Sequence, residues 1–194
     1  MIKTKVTAWL TALVVALQMF AIPALAETEQ QKQNGLSNSL WKITNGEKFT
    51  VGYIGGSITQ GVGGSKSYGY ANLSFNAMAE KYAREGLTFV KLQKGISGTG
   101  SNYGAYRIDA ELSLDDPNKV PDLTFVEFSI NDNHQGFAAS ASRKYMETIA
   151  RKLYKANPNM DVVFLYTTQL TRLDTIDTWI TAHKQLQTDT VLPR

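Results

Sequence analysis

Three short stretches hold the residues best suited to chemistry in this chain of 194 residues. The first is Gly55-Gly56-Ser57-Ile58-Thr59-Gln60-Gly61. The second is Gly95-Ile96-Ser97-Gly98-Thr99-Gly100-Ser101, and the third is Ser129-Ile130-Asn131-Asp132. Each closes or follows an apolar run that reads as a buried strand. A serine flanked by glycines between a strand and a helix can sit on a tight turn, with its hydroxyl presented at the helix N-terminus. A glycine N–H and an asparagine amide are the donor types an oxyanion hole needs. Ser57, Gly98 and Asn131 are therefore candidates for a nucleophile and two donors, with the Ser57 N–H as a third. Singly, each has a plainer explanation: a turn, a backbone requirement, a cap. Their occurrence in order on three consecutive strand ends favours the chemical one.

The elements that must position these turns follow from hydrophobic periodicity. Residues 49–54 read as a buried strand. Residues 69–84 read as a helix, with Phe75, Met78, Ala79 and Tyr82 on one face. Residues 88–92 predict a second strand and 95–100 a turn, after which Ser101 can cap a helix through Leu112. Residues 123–130 are the strongest strand, followed by a polar turn. Residues 139–156 predict a helix, with Met146, Ile149, Ala150, Leu153 and Tyr154 at helical spacing, stopped by Asn157-Pro158. Residues 162–167 predict a fourth strand and 174–187 a last helix. Alternating helices and near-continuously apolar strands predict an α/β fold: a parallel sheet with helices on both faces. Ligands in such folds bind beyond the carboxyl ends of the strands, where all three turns fall.

Composition bounds the alternatives. An apolar fraction of 43% and a charged fraction of 19% can bury a core, and the length suits one domain. The net charge of +3 includes Lys3 and Lys5, so it is weak evidence for a nucleic-acid surface. The absence of cysteine excludes disulfides, thiolate zinc sites and a cysteine nucleophile. The only histidines are His134 and His183, so a histidine-rich metal site is not expected, and no metal or organic cofactor is implied. A basic start, an apolar stretch and small residues at Ala24 and Ala26 fit a secretory signal peptide over residues 1–26. The stretch is nearly long enough for a membrane anchor, but Pro23 and the Ala-Leu-Ala ending favour cleavage after Ala26. Removing 26 of the 194 residues leaves 168, with the charge reduced from +3 to +1, for a secreted or periplasmic protein. Residues 27–47, polar at first and rich in Gln and Asn, read as a loose lead-in to a domain over 48–194.

The three stretches together resemble the blocks of the SGNH hydrolases, or GDSL-like esterases. GGSITQG is similar to the first block, in the branch with GGSIT in place of GDSL. GISGTGS followed by GAYR resembles the second block, its glycine matching Gly98. FVEFSIND resembles the third, its asparagine matching Asn131. The spacings of 41 and 33 residues suit a strand-helix-strand unit between blocks. The resemblance covers residues from about 48 to about 170. It implies a flavodoxin-like three-layer α/β/α sandwich and a serine esterase or acylhydrolase. The substrate would be a small-molecule or polysaccharide ester, since exported relatives remove acetyl or other acyl groups from polysaccharides or lipids. Gly56 departs from the Asp of the eponymous motif, and Ser129 from the usual Gly.

The family's last block, Asp-x-x-His, has no counterpart in the sequence, and only four of the family's five strands are visible. The chain therefore reads as truncated before that block. A serine hydroxyl is a poor nucleophile until a base takes its proton. His134 stands close to the third turn, as a surface or substrate-cleft residue. His183 falls on the apolar face of the last helix with Ile176 and Trp179 and reads as a packed core histidine. Glu127, a lone acid inside an apolar strand, is expected to pair with Arg107. A nucleotide-binding reading fails on detail: Val62 stands where a P-loop needs Lys, and Lys66 where a dinucleotide fingerprint needs its third glycine. A catalytically incomplete binding or remnant domain is the alternative to an esterase.

Overall fold

In the computed structural model the described residues are 35–62, 66–168 and 173–188. The expected signal peptide lies outside them. From Asn38 onward they belong to one unit, Asn38–Arg194. Their order is α1 (Ser37–Asn45), β1 (Lys48–Gly55), α2 (Ser57–Gln60), a 3₁₀ turn (Lys66–Tyr68), α3 (Tyr70–Lys81), β2 (Thr88–Gly95), α4 (Ser101–Glu111), β3 (Leu123–Glu127), α5 (Ser129–His134), α6 (Ala139–Ala156), β4 (Asp161–Phe164) and α7 (Leu173–Thr188).

The four strands form one sheet in the order β2-β1-β3-β4, and every pairing is parallel. Parallel strands buried on both faces need apolar side chains up and down, which β1 supplies. Phe49, Val51 and Tyr53 point to one face with Leu123, where Ile43 of α1 and Phe75 and Met78 of α3 pack. Ile54 and Val126 point to the other, against Ala105 and Ile108 of α4, Met146, Ile149 and Leu153 of α6, and Leu186 of α7. The chain thus builds a three-layer α/β/α sandwich of flavodoxin-like type.

Register sets where the turns fall. Gly55 pairs with Gly95 on one side and with Glu127 on the other, so β1, β2 and β3 end level. Val126 pairs with Phe164, which brings the segment after β4 to the same edge.

Several elements differ from expectation; the fourth strand, expected over 162–167, ends at Phe164, and the helix expected over 69–84 spans Tyr70–Lys81. Ser37–Asn45 are helical where the composition suggested a loose lead-in. The side chain of Asp161 accepts a hydrogen bond from the Ser39 N–H at 2.7 Å, giving the first turn a cap that composition cannot reveal. β2 runs three residues further than expected, to Gly95. β3 ends at Glu127, and Ser129–His134 coil into α5, so Asn131 sits on a helical turn rather than in a loop. Ser101 does not cap α4. Gly100 holds the cap position, and the Ser101 N–H donates to Asp132 Oδ1 at 2.7 Å. No fifth strand occurs among the described residues.

Candidate active site

The first turn is a strand that stops and immediately coils. Ser57 opens α2, so its N–H belongs to the groups that a helix's own ladder leaves without an acceptor. The side chain of Ser57 is half-buried at the edge of the sheet. The turn is held from two sides. The Gly56 N–H donates to the Glu127 carbonyl at 3.3 Å. The Gly55 carbonyl accepts from the Ile96 N–H at 3.0 Å and from Arg107 Nη2 at 3.1 Å.

Further bonds join the second turn to the other two. Gln60 Oε1 of α2 accepts from the Ser97 N–H at 2.9 Å. Asn131 Nδ2 of α5 donates to the Thr99 carbonyl, and Gln135 Nε2 to the Gly98 carbonyl, both at 2.6 Å. Gly98 has φ of +73°, and a Cβ there would meet nothing within 4 Å. A left-handed backbone, not space, is what demands glycine at this position.

Asn131 reaches back over the first turn. A Cβ on Gly56 would lie 1.9 Å from Asn131 Nδ2, so the amide rests against the residue just before the serine. Position 56, which is Asp in the GDSL motif, thus lies against the Asn131 amide. The structure brings Ser57, Gly98 and Asn131 to one edge through adjoining, mutually bonded turns. Of the two protons on Asn131 Nδ2, one is engaged by Thr99, which leaves the other able to serve a ligand.

The histidines part company. His134 ends α5 and is exposed. His183 is fully buried on α7, and its Nε2 is 2.6 Å from Ser142 Oγ of α6. Ser142 in turn donates to Asp132 Oδ2, and His183 Nδ1 has no partner. Burial pushes the imidazole pKa down to about 4, and burial likewise raises that of Asp132. Neither nitrogen of His183 bonds to Ser57, which agrees with the expected core role.

Glu127 does not pair with Arg107. Its Oε2 accepts from Thr59 Oγ1 at 3.1 Å and its Oε1 from Thr167 Oγ1 at 2.7 Å. Arg107 spends its guanidinium on the Gly55 carbonyl and on Glu111 of its own helix, with Nη1 to Oε1 at 3.8 Å. Neutral hydroxyl and amide donors can satisfy a buried carboxyl, so a lone acid in a strand does not require a cation. Ser142, Thr59 and Thr167 are polar residues that sequence reasoning passed over, because each only gains a role from a partner at least ten positions away. Among the described residues, no group of three or more His, Asp or Glu could hold a metal ion.

The sequence profile of the GDSL-like lipase/acylhydrolase family matches residues 53–191. Among solved structures, the chain is similar to a two-domain esterase active on acetylated mannans, with a TM-score of 0.67 and 24% identity, over 81% of this chain and 39% of that one. It is similar to TesA, with a TM-score of 0.59 and 21% identity over 72% and 73% of the two chains. It is also similar to AlinE4, an SGNH-hydrolase family esterase, with a TM-score of 0.60 and 20% identity over 74% and 72%. The chain spans about two fifths of the length of the mannan esterase. At these identities the likenesses speak to fold. No curated protein sequence matches the chain.

Proposed function

Because the chain belongs to the GDSL-like lipase/acylhydrolase family, we propose that it is an exported serine esterase in which Ser57 attacks a carboxylic ester. The observation that carries this reading is the convergence of three bonded turns at one sheet edge. The Ser57 and Gly98 N–H groups and the Asn131 amide would hold the oxyanion as negative charge develops on the carbonyl oxygen. The acyl group would pass to Ser57 Oγ with departure of the alcohol, and water would then release the acid.

A carbohydrate ester is the substrate class that the surface supports. Tyr103 and Tyr106 on α4 are exposed, their rings 6.2 Å apart and 22° from parallel, on the helix that starts from the second turn. Flat amphipathic rings of this kind suit the face of a sugar. The similar esterase that acts on acetylated mannans supports the same class. His134, exposed at the end of α5, is assigned to substrate contact.

The test is hydrolysis of p-nitrophenyl acetate and of acetylated mannan by the purified chain beside Ser57→Ala. Ser57-dependent release of acetate establishes the reading, and His134→Ala in the same assay then decides whether that ring supplies the base. If wild type and Ser57→Ala are equally inert, the serine esterase reading fails and the catalytically incomplete alternative stands.

A further inference from the structure

Glu127 is buried, ionisable and unused by the chemistry above. It is fully buried at the last position of β3, and it has no cation partner among the described residues. Instead it is ringed by neutral donors. The Thr59 and Thr167 hydroxyls donate to separate carboxyl oxygens at 3.1 and 2.7 Å. Thr59 Oγ1 has one proton, and that proton goes to Glu127. The Tyr70 hydroxyl, 3.0 Å from Thr59 Oγ1, must therefore be the donor between those two. The chain of donation runs from Tyr70 of α3 through Thr59 of α2 to Glu127 of β3, and Thr167 meets it from the far side.

These bonds have a position in common. Gly56 and Thr59 bracket Ser57, one residue before it and two after. The Glu127 carboxyl accepts from Thr59, and its main-chain carbonyl accepts from the Gly56 N–H. Thr167 belongs to the segment that leaves the sheet after β4. One carboxyl group thus joins the turn that bears the serine to the chain that follows β4, two strands away in the sheet. Burial pushes its pKa up, while the hydrogen bonds from Thr167 and Thr59 pull it down.

We propose that Glu127 is a positioning residue: its buried carboxyl locks the Ser57 turn to the segment following β4 and so fixes where the serine hydroxyl stands. The clause that names a nucleophile rests on the esterase reading; the lock itself does not. A glutamine does not reproduce the arrangement: its amide NH₂ replaces one carboxyl oxygen, so the threonine hydroxyl that faces it loses its acceptor and must turn round to accept instead.

Hydrogen exchange of the full chain, read by mass spectrometry, tests the lock. In Glu127→Gln and in Thr59→Val, amides over residues 56–61 exchange faster by on the order of tenfold, the effect of losing one or two buried hydrogen bonds, while β1, β3 and α6 keep their protection. Thr59→Val retains shape and keeps the test decisive if Glu127→Gln does not fold. Unchanged exchange over 56–61, or an equal rise throughout the sheet, overturns the proposal. In p-nitrophenyl acetate hydrolysis the same variants lose kcat at constant KM. A KM rise with kcat intact counts against positioning. If Ser57 proves irrelevant to hydrolysis, the esterase reading fails while the exchange result still decides the lock.

Discussion

Asn131 serves two partners at once, and that arrangement exposes it to a neighbour that never touches substrate. Its amide donates to the Thr99 carbonyl and rests on the bare Cα of Gly56. On the proposed role of Asn131 as an oxyanion donor, whose removal costs about 10²–10³ in kcat in a serine hydrolase, Asn131→Ala is expected to lose that much with KM little changed. Gly56→Ala places a Cβ where Nδ2 now lies, 1.9 Å away, and should displace the amide to similar effect. The double variant should be no worse than the worse single one; additive losses would show that the two act independently. At this scale the residue types were legible in sequence. Their mutual dependence was not, because Gly56 and Asn131 are 75 positions apart and only the parallel pairing of β1 with β3 juxtaposes them.

At the scale of elements, α4 shows how a helix is seated by what it lacks. Gly104 lies in its interior, where alanine ordinarily stabilises by about 1 kcal/mol. Here a Cβ would stand 2.4 Å from Phe128 Cζ, and the ring is fully buried. Gly104→Ala is therefore expected to cost about 1–3 kcal/mol in a urea melt, the size of an overpacked core contact, and a gain in stability would refute the close packing. The helix N-terminus is held by Asp132 from the third turn rather than by its own serine. Periodicity located the helices, because a stripe of apolar residues is local information. It misplaced the end of β3 and the cap of α4, because both are decided by a turn that packs against another strand's turn. The helix over Ser37–Asn45 was missed for the same reason, since the core that its Ile43 enters and the cap from Asp161 both come from elsewhere in the chain.

For the whole molecule, the buried histidine ties stability to pH. Folding holds His183 neutral, with its pKa pushed from an ordinary 6.5 to about 4. Between those values the unfolded chain binds a proton that the folded chain does not, so stability falls as pH drops through this window and levels off below it. Asp132, bonded to the same Ser142, and Glu127 act in the opposite sense. Burial raises both, so the folded chain holds their protons more firmly, and their contribution falls as pH rises. Comparison with His183→Gln isolates the imidazole. Wild type is expected to lose about 2 kcal/mol more than the variant between pH 7 and pH 5 in urea melts, and parallel losses would sink the assignment.

The sequence by itself determined the layering and the family, because apolar runs, glycine turns and helix spacing are written in adjacent residues. It also put the turns of Ser57, Gly98 and Asn131 at one sheet edge, and it set aside His183 as a core residue. Only the tertiary structure decided which groups meet: that Asn131 lies on Gly56, that Asp132 caps α4, and that Glu127 is satisfied by threonines rather than by Arg107. Those contacts depend on strand register, and register is fixed by the packing of the whole sheet between its two layers of helices, which no local stretch of sequence contains.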